Sequence, residues 1–342
     1  MSCDIIIPIW NKKELTQNCI ESIIRNTQYP YRIIAVDNAS QAPTKEYLES
    51  LKTDKRLNFT LIRNEENLGN TKAVNQGIER SSAGFICILD NDTVVGKGWL
   101  IEMVSIAQSR KDIGIVNPCS NTLAKWPKSS SQADIDTCAQ DCFQLKGQYL
   151  VLGACVGFCT VVKREVIDKI GGWDEIFSPG YFDDTDYSLR AQAAGYKSVC
   201  ARGAYVYHCE HASFKNKNLE KHFKRGRDLF YQRYGKPKRL LYVVSKENPD
   251  YYNLIRQNSA DLASRGNWTW IFLKESLPAL GMEKHANIRH FSLPSSFFNL
   301  RLVWRILKRQ KKKFDQIYVD NEKMAGFLKT ITFIHKAKIQ KI

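Results

Sequence analysis

The sequence predicts an α/β protein: a doubly wound, mostly parallel sheet, followed by a smaller, incomplete β/α unit of Rossmann-like pattern. Three observations carry that prediction. Short β-branched runs alternate with helical stretches at the spacing of βαβ units. Polar residues recur where those runs end. Beyond residue 235 the strand–helix rhythm starts afresh while the charge balance shifts.

Residues 3–11 (CDIIIPIWN) form a β-branched run closed by a proline and read as a buried strand. Residues 13–26 place Leu15, Cys19, Ile20, Ile23 and Ile24 at helical spacing. Residues 31–37 (YRIIAVD) are a second buried strand, ended by the turn Asp37-Asn38-Ala39-Ser40. A helix over 44–51, a strand over 57–63, a helix over 70–80 and a strand over 84–89 follow, the last ending on Asp90. In such sheets ligands sit beyond the carboxyl ends of the strands. Residues 8–11, 37–40 and 90–92 therefore gather on one rim.

Residues 117–147, rich in Ser, Asn, Asp and Lys, read as a long irregular stretch, and such stretches inside compact domains are more often functional than decorative. Residues 150–163 resume as strand, 164–170 as a short helix, 182–194 as a helix opening on Asp183-Asp184, 199–208 as a strand and 221–234 as a basic closing helix. The boundary is expected at 235/236, giving domains 1–235 and 236–342. In the second, strands over 240–244, 268–273, 288–293 and 314–319 alternate with helices over 251–264, 297–313 and 322–333, stopping short of a complete Rossmann domain.

A chain of 342 residues suits two domains, and 43% hydrophobic with 25% charged residues excludes wholesale disorder. The net charge of +16 is uneven. Residues 1–230 hold 29 Lys and Arg against 27 Asp and Glu; residues 231–342 hold 22 against 8. That basic second part suggests an anionic partner, for which a membrane surface is favoured and nucleic acid is not expected. A basic face that only confers solubility is the plainer alternative. The ten cysteines contain no C-x2-C pair, which removes zinc-ribbon and redox motifs and leaves free thiols in a reducing cytoplasm. No leader is expected before the first strand. No apolar run approaches the ~18 residues of a membrane span, so any contact would be peripheral, at the inner face of the cell membrane.

Two acidic groups carry the chemistry. Asp90-Asn91-Asp92, at a strand's carboxyl end, can hold Mn²⁺ or Mg²⁺ while leaving positions for phosphate oxygens, although a D-x-D triplet by itself is usually a polar turn. Asp183-Asp184-Thr185-Asp186 concentrates three carboxylates at a helix N-terminus, where the dipole favours negative charge and capping is the plainer reading. Asp186 has Arg190 one turn later as an ion-pair partner and reads as structural. His208 closes the last strand of the first part and can complete a metal site or merely sit at the surface.

In order, IIIPIWN (5–11), VDNAS (36–40), N-x-G-x-x-x-A-x-N-x-G (67–77), LDND (89–92), GGWDE (171–175), YFDDTDYSLR (181–190) and YHCEHAS (207–213) resemble the family-two GT-A glycosyltransferases of bacterial surface-polysaccharide synthesis. The resemblance covers about residues 5–234. It implies that Pro8, Asn11 and Asp37 line the pocket for base and ribose, that Asn67, Gly69, Lys72, Asp90 and Asn91 border the nucleotide, and that Asp90, Asp92 and His208 hold the divalent metal (Mn²⁺ or Mg²⁺) bridging the diphosphate. Asp184 would be the general base. Asp183 stands where the family usually has Glu, one methylene longer, which leaves its contact with the acceptor open. Trp126, Gly157 and Trp173 would lie on the acceptor side. The implied activity is inverting transfer from a UDP- or dTDP-sugar to a glycan or lipid-linked acceptor. Residues 239–333 faintly resemble the opening half of a GT-B domain.

Two other readings compete. A nucleotidyltransferase would need a glycine-rich basic loop after the first strand, where IWNKKE stands. A non-catalytic sugar-nucleotide binder or scaffold would have no chemical reason to keep Asp90, Asp92, Asp184 and His208 together. In the second part, Phe297, Leu300, Val303, Trp304 and Leu307 form a stripe expected to pack on the sheet, with Arg301, Arg305, Lys308 and Lys312 on another side and the 308–313 end within reach of anionic lipid.

Overall fold

The first three crossovers build the parallel half of a large sheet. β1 (Cys3–Ile9), β2 (Tyr31–Asn38), β3 (Phe59–Asn64) and β4 (Phe85–Leu89) pair in parallel in the order β3-β2-β1-β4. Every residue of β1 and β4 is buried, as their unbroken apolar runs require. Their connections are α1 (Lys13–Asn26), α2 (Ala42–Ser50) and α3 (Asn70–Arg80). α1 buries Cys19, Ile20 and Ile23, three of the residues whose spacing predicts it. α3 lies so close to β1 that a methyl group at Gly77 would collide with Ile6.

This computed structural model describes residues 1–121, 127–209, 219–308 and 313–342. They separate into two compact units, Met1–Leu150 with Ala154–Tyr234, and Val151–Gly153 with Gly235–Ile342. After β4 the chain continues through β5 (Thr93–Val95), α4 (Trp99–Ser109), β6 (Ile113–Cys119), α5 (Gln132–Phe143), β7 (Tyr149–Leu152), β8 (Cys159–Lys163), α6 (Arg164–Ile170), α7 (Asp183–Ala193), β9 (Lys197–His208) and α8 (Leu219–Tyr234). These strands extend the sheet as β4-β8-β6-β9-β5, with β8 antiparallel to both neighbours and β7 paired to β9. The result is mostly parallel and doubly wound.

Two stretches depart from expectation. Residues 117–147 are not irregular throughout: they contain the end of β6 and all of α5, capped by Ser131, whose side chain accepts from the Asp134 amide. Residues 150–163 are not one strand. They break over 153–158, where buried Asn117 donates to the carbonyls of Val156 and Cys159 and to the Thr160 hydroxyl and accepts from the Val156 amide. A turn held this way cannot stay in the ladder.

The second unit contains β10 (Arg239–Val244), α9 (Pro249–Ser264), β11 (Trp268–Lys274), β12 (Ile288–Leu293), α10 (Phe298–Lys308), β13 (Gln316–Val319), α11 (Glu322–Thr330), α12 (Thr332–His335) and β14 (Lys338–Lys341). Its five strands are all parallel, in the order β12-β11-β10-β13-β14. That is the winding of a dinucleotide fold, one strand longer than expected. In such folds the turn after the first strand receives a phosphate. Here buried Asp320 accepts from the amides of Ser245 and Lys246 and from the Ser245 hydroxyl, so a carboxylate of the chain takes those donors.

α10 corrects the expected packing. Phe298, Leu302 and Ile306 face the core, whereas Phe297, Leu300 and Trp304 of the expected stripe are exposed. Lys312 lies outside the described residues. Among the described residues no helix is long and apolar enough to cross a membrane.

Candidate active site

β4 ends at Leu89, so Asp90, Asn91 and Asp92 follow at the sheet's carboxyl rim. β5 then returns antiparallel to β9, and its register sets Thr93 opposite His208. The consequence is a cluster: His208 Nε2 lies 3.2 Å from Asp92 Oδ1 and 3.8 Å from Asp90 Oδ2. One ligand atom from each of the three residues falls within 4.8 Å of the others. The histidine is held from three directions. Its ring stacks on Phe158 at 5.0 Å, its amide donates to Asn121 Oδ1, and its carbonyl accepts from Asn121 Nδ2. Burial, then the neighbouring Asp92 charge, pushes the Asp90 carboxyl up to about 6. Two carboxylates and an imidazole converging this closely fit a divalent cation, whose charge would offset their repulsion.

The second acidic group is delivered by an unusual turn. Tyr181 and Phe182 both take left-handed backbone angles (φ 73° and 68°), a costly conformation for bulky residues and one found at functional sites. It starts α7 directly on Asp183. Asp184 is half-buried; its Oδ2 accepts from the Gly157 amide at 3.0 Å and its Oδ1 from the Thr185 amide at 2.6 Å. Gly157 sits in the turn that Asn117 holds. Asp183 is buried instead, with Thr71 Oγ1 donating to it at 3.2 Å. Burial raises the carboxyl pKa of both, and for Asp183 the Asp184 charge adds to it. Gly157, whose amide binds Asp184, is followed by Phe158, whose carbonyl accepts from the Asp90 amide at 2.8 Å and whose ring stacks on His208, so the two acidic groups border one site. Asp186 is fully buried and binds Arg190, Arg233 and Tyr234, tying α7 to α8.

The donor-side residues divide. Pro8 is buried in β1 opposite Val36. Asn11 links two rim loops, its amide donating to Ser40 Oγ and its Oδ1 accepting from the Gln41 amide. Asn67 and Lys72 are exposed, and Asn67 Oδ1 accepts from the Gly69 amide. Gly69 has φ 87°, and a Cβ there would stand 2.6 Å from Ser178 Oγ, so glycine is required.

Three of the expected placements change, and a fourth residue is not described. Asp37 does not line a pocket; it is fully enclosed, accepting from the Ser40 amide and paired with Arg63, whose guanidinium is the exposed member. Asn91 does not border an open nucleotide pocket; it is buried and donates to Thr16 Oγ1 on α1. Trp173 is not on the acceptor side: it is 6% exposed, in the core, stacked on Tyr187 at 3.8 Å. Trp126 lies outside the described residues. Arg63, Asn117, Asn121, Phe158 and Thr71 emerge as supporting residues. None stands in a motif that marks it.

A mostly parallel sheet with Asp90, Asp92 and His208 at a strand end, and an acidic helix start beside them, defines the GT-A class of glycosyltransferase. Residues 4–171, just under half of the chain, match the family model Glycosyl transferase family 2. It is 30% identical over 230 residues to the uncharacterised protein y4gI of Sinorhizobium fredii, covering 61% of this chain and 24% of that protein. It is 28% identical over 230 residues to glycosyltransferase AglE of Haloferax volcanii, covering 65% of this chain and 71% of AglE. The chain thus spans less than a third of the length of one of these relatives. The structure of GalNAc-T7 with UDP, GalNAc and Mn²⁺ superposes with a TM-score of 0.51 at 14% identity, over 75% of this chain and 48% of that one, a likeness of fold.

Proposed function

We propose that the chain is an inverting glycosyltransferase that moves a sugar from a nucleotide-diphosphate sugar to a hydroxyl of a glycan or lipid-linked acceptor. The reading rests on one observation above all: Asp90, Asp92 and His208 converge within 4.8 Å, and the Gly157-Phe158 turn that contacts Asp90 and His208 also holds the carboxylate of Asp184. Asp90, Asp92 and His208 would hold Mn²⁺ or Mg²⁺, which when bound neutralises the leaving diphosphate. Asp184 accepts the proton of the acceptor hydroxyl as it attacks the anomeric carbon and the bond to the diphosphate breaks. The Gly157 and Thr185 amides fix the carboxylate but leave lone pairs for that proton. One carboxylate and one displacement invert the anomeric centre, whereas retention needs two displacements. Lys72, which is exposed, would meet the phosphates of the nucleotide.

The transferase is assigned to residues 1–235, with 236–342 as an accessory β/α domain. We assign the chain to the cytoplasm, where its ten cysteines, nine of them buried, would remain thiols. The test is a panel of UDP- and dTDP-sugars with Mn²⁺ or Mg²⁺, read as nucleotide release and as the anomeric configuration of the product. Release that needs the cation, with inverted product, is expected. Full release in excess chelator, or a retained configuration, would overturn the mechanism.

A further inference from the structure

We propose that the outer face of α10 docks on an anionic lipid membrane. The core takes Phe298, Leu302 and Ile306 from this helix, and what remains outside is unusual. Phe297 at the helix start is 72% exposed, Leu300 68% and Trp304 58%. Positions 301, 304 and 308 follow one another at steps of three and four, and Phe297, whose carbonyl accepts from the Arg301 amide, stands one turn before them, so the four lie along one line of the helix surface. That line reads Phe, Arg, Trp, Lys, with Leu300 and Arg305 beside it. Arg301, Arg305 and Lys308 are all exposed, and the helix carries no acidic residue.

Scattered apolar side chains on a surface need no explanation. Three large ones on one helical face, interleaved with three cations, do. Lys308 Nζ stands 4.6 Å over the Trp304 ring, and Arg305 stands 5.5 Å over Phe291. With Phe272 these four side chains line a pocket of about 240 Å³, aromatic on its walls and cationic at its edge. α12 packs against α10 and adds Phe333, 76% exposed.

The charge selects the occupant. Residues 235–342 hold 21 Lys and Arg against 8 Asp and Glu, so the surface around this face favours anions. A polyanion alone would satisfy the cations but leave Phe297, Leu300 and Trp304 in water. An interface of acidic head groups above acyl chains satisfies both: aromatic and aliphatic side chains enter the apolar boundary while Arg and Lys stay at head-group level. This role is independent of the donor chemistry of the first unit.

The test is co-sedimentation of the full chain at low ionic strength with phosphatidylcholine vesicles, with or without phosphatidylglycerol. Binding to the phosphatidylglycerol vesicles alone is expected, weakening as salt rises. Each cation near such a surface is worth about fivefold in partitioning, so changing Arg301, Arg305 and Lys308 together to Gln should weaken binding by roughly a hundredfold. The triple change Phe297→Ser, Leu300→Ser and Trp304→Ser should abolish it. All six side chains are exposed, so an unchanged thermal midpoint serves as the folding control. Brominated lipid should quench tryptophan emission, and Trp304→Phe should remove most of that quenching while binding persists. Equal binding to neutral vesicles, or quenching that survives Trp304→Phe, would overturn the proposal. So would binding that survives the serine changes, which would mark a plain polyanion site such as one for RNA.

Discussion

Asp183 and Asp184 are neighbours in sequence but differ in surroundings. Asp183 is buried against Thr71, whereas Asp184 is half-buried and gripped by the Gly157 amide. The pair of acids was legible from the sequence, but the division of labour was not, because it depends on what packs around each carboxyl. For the same reason Asp37, Asn91 and Trp173 looked like site residues: a motif marks a position, whereas the direction of a side chain is set by partners such as Arg63, Thr16 and Tyr187. If Asp184 is the base, Asp184→Asn should leave donor KM nearly unchanged and lower kcat by on the order of 10² or more. Asp183→Asn should cost much less. Survival of activity in the first variant with its loss in the second would shift the base by one residue. Burial raises the Asp184 carboxyl, and the base works only when ionised. Activity should therefore fall as pH drops through that raised pKa, placing the acidic limb of the kcat profile above the ordinary carboxylate range near 3.9.

At the scale of elements, most of the first unit was readable because its periods are clear. Residues 13–26 and 70–80 are helices with the bounds their apolar spacing predicts. α5 was missed although Ile135, Cys138, Ala139 and Cys142 are all buried at helical spacing, since Ser, Asp and Gln between them dominate the composition. The strand break over 153–158 carried no comparable signal, since Asn117 makes it from 39 residues away. The α7–α8 tie belongs to this scale. Asp186 is fully buried and accepts from Arg190 Nε at 2.8 Å, Arg233 Nη1 at 2.6 Å and the Tyr234 hydroxyl at 2.7 Å. Only half of that was visible, as the i,i+4 pair with Arg190. Removing the carboxylate of a buried pair costs about 3–5 kcal/mol, and both arginines reach solvent here, so Asp186→Ala should cost nearer 2–3 kcal/mol. Urea unfolding of the variant measures this; a loss below about 0.5 kcal/mol would mean the tie is ornamental.

For the whole molecule, the metal cluster makes a prediction that needs no substrate. Without a cation the native fold holds Asp90 where burial and the Asp92 charge lift its carboxyl from 3.8 to about 6. An acid whose pKa is raised by folding contributes no penalty below its unfolded pKa, because both states are then protonated. The penalty grows as pH rises through the window between the two values, since the unfolded chain ionises first, and it is complete above about 6. Metal-free protein should therefore lose stability across this window relative to Asp90→Asn, which has no proton to give up, and the difference between the two chains isolates the effect from other titrating groups. A bound cation reverses the sign of the local field and favours the ionised form. Mn²⁺ should then raise the thermal midpoint above pH 6 and do so less as pH falls toward 4. Binding to the native state alone stabilises by about 2.7 kcal/mol at a hundredfold excess over Kd. Asp92→Ala should remove the Mn²⁺ shift along with cation-dependent nucleotide binding, and His208→Ala should reduce both. If Mn²⁺ shifted the midpoint of Asp92→Ala as much as that of the unaltered chain, the cation would be bound elsewhere.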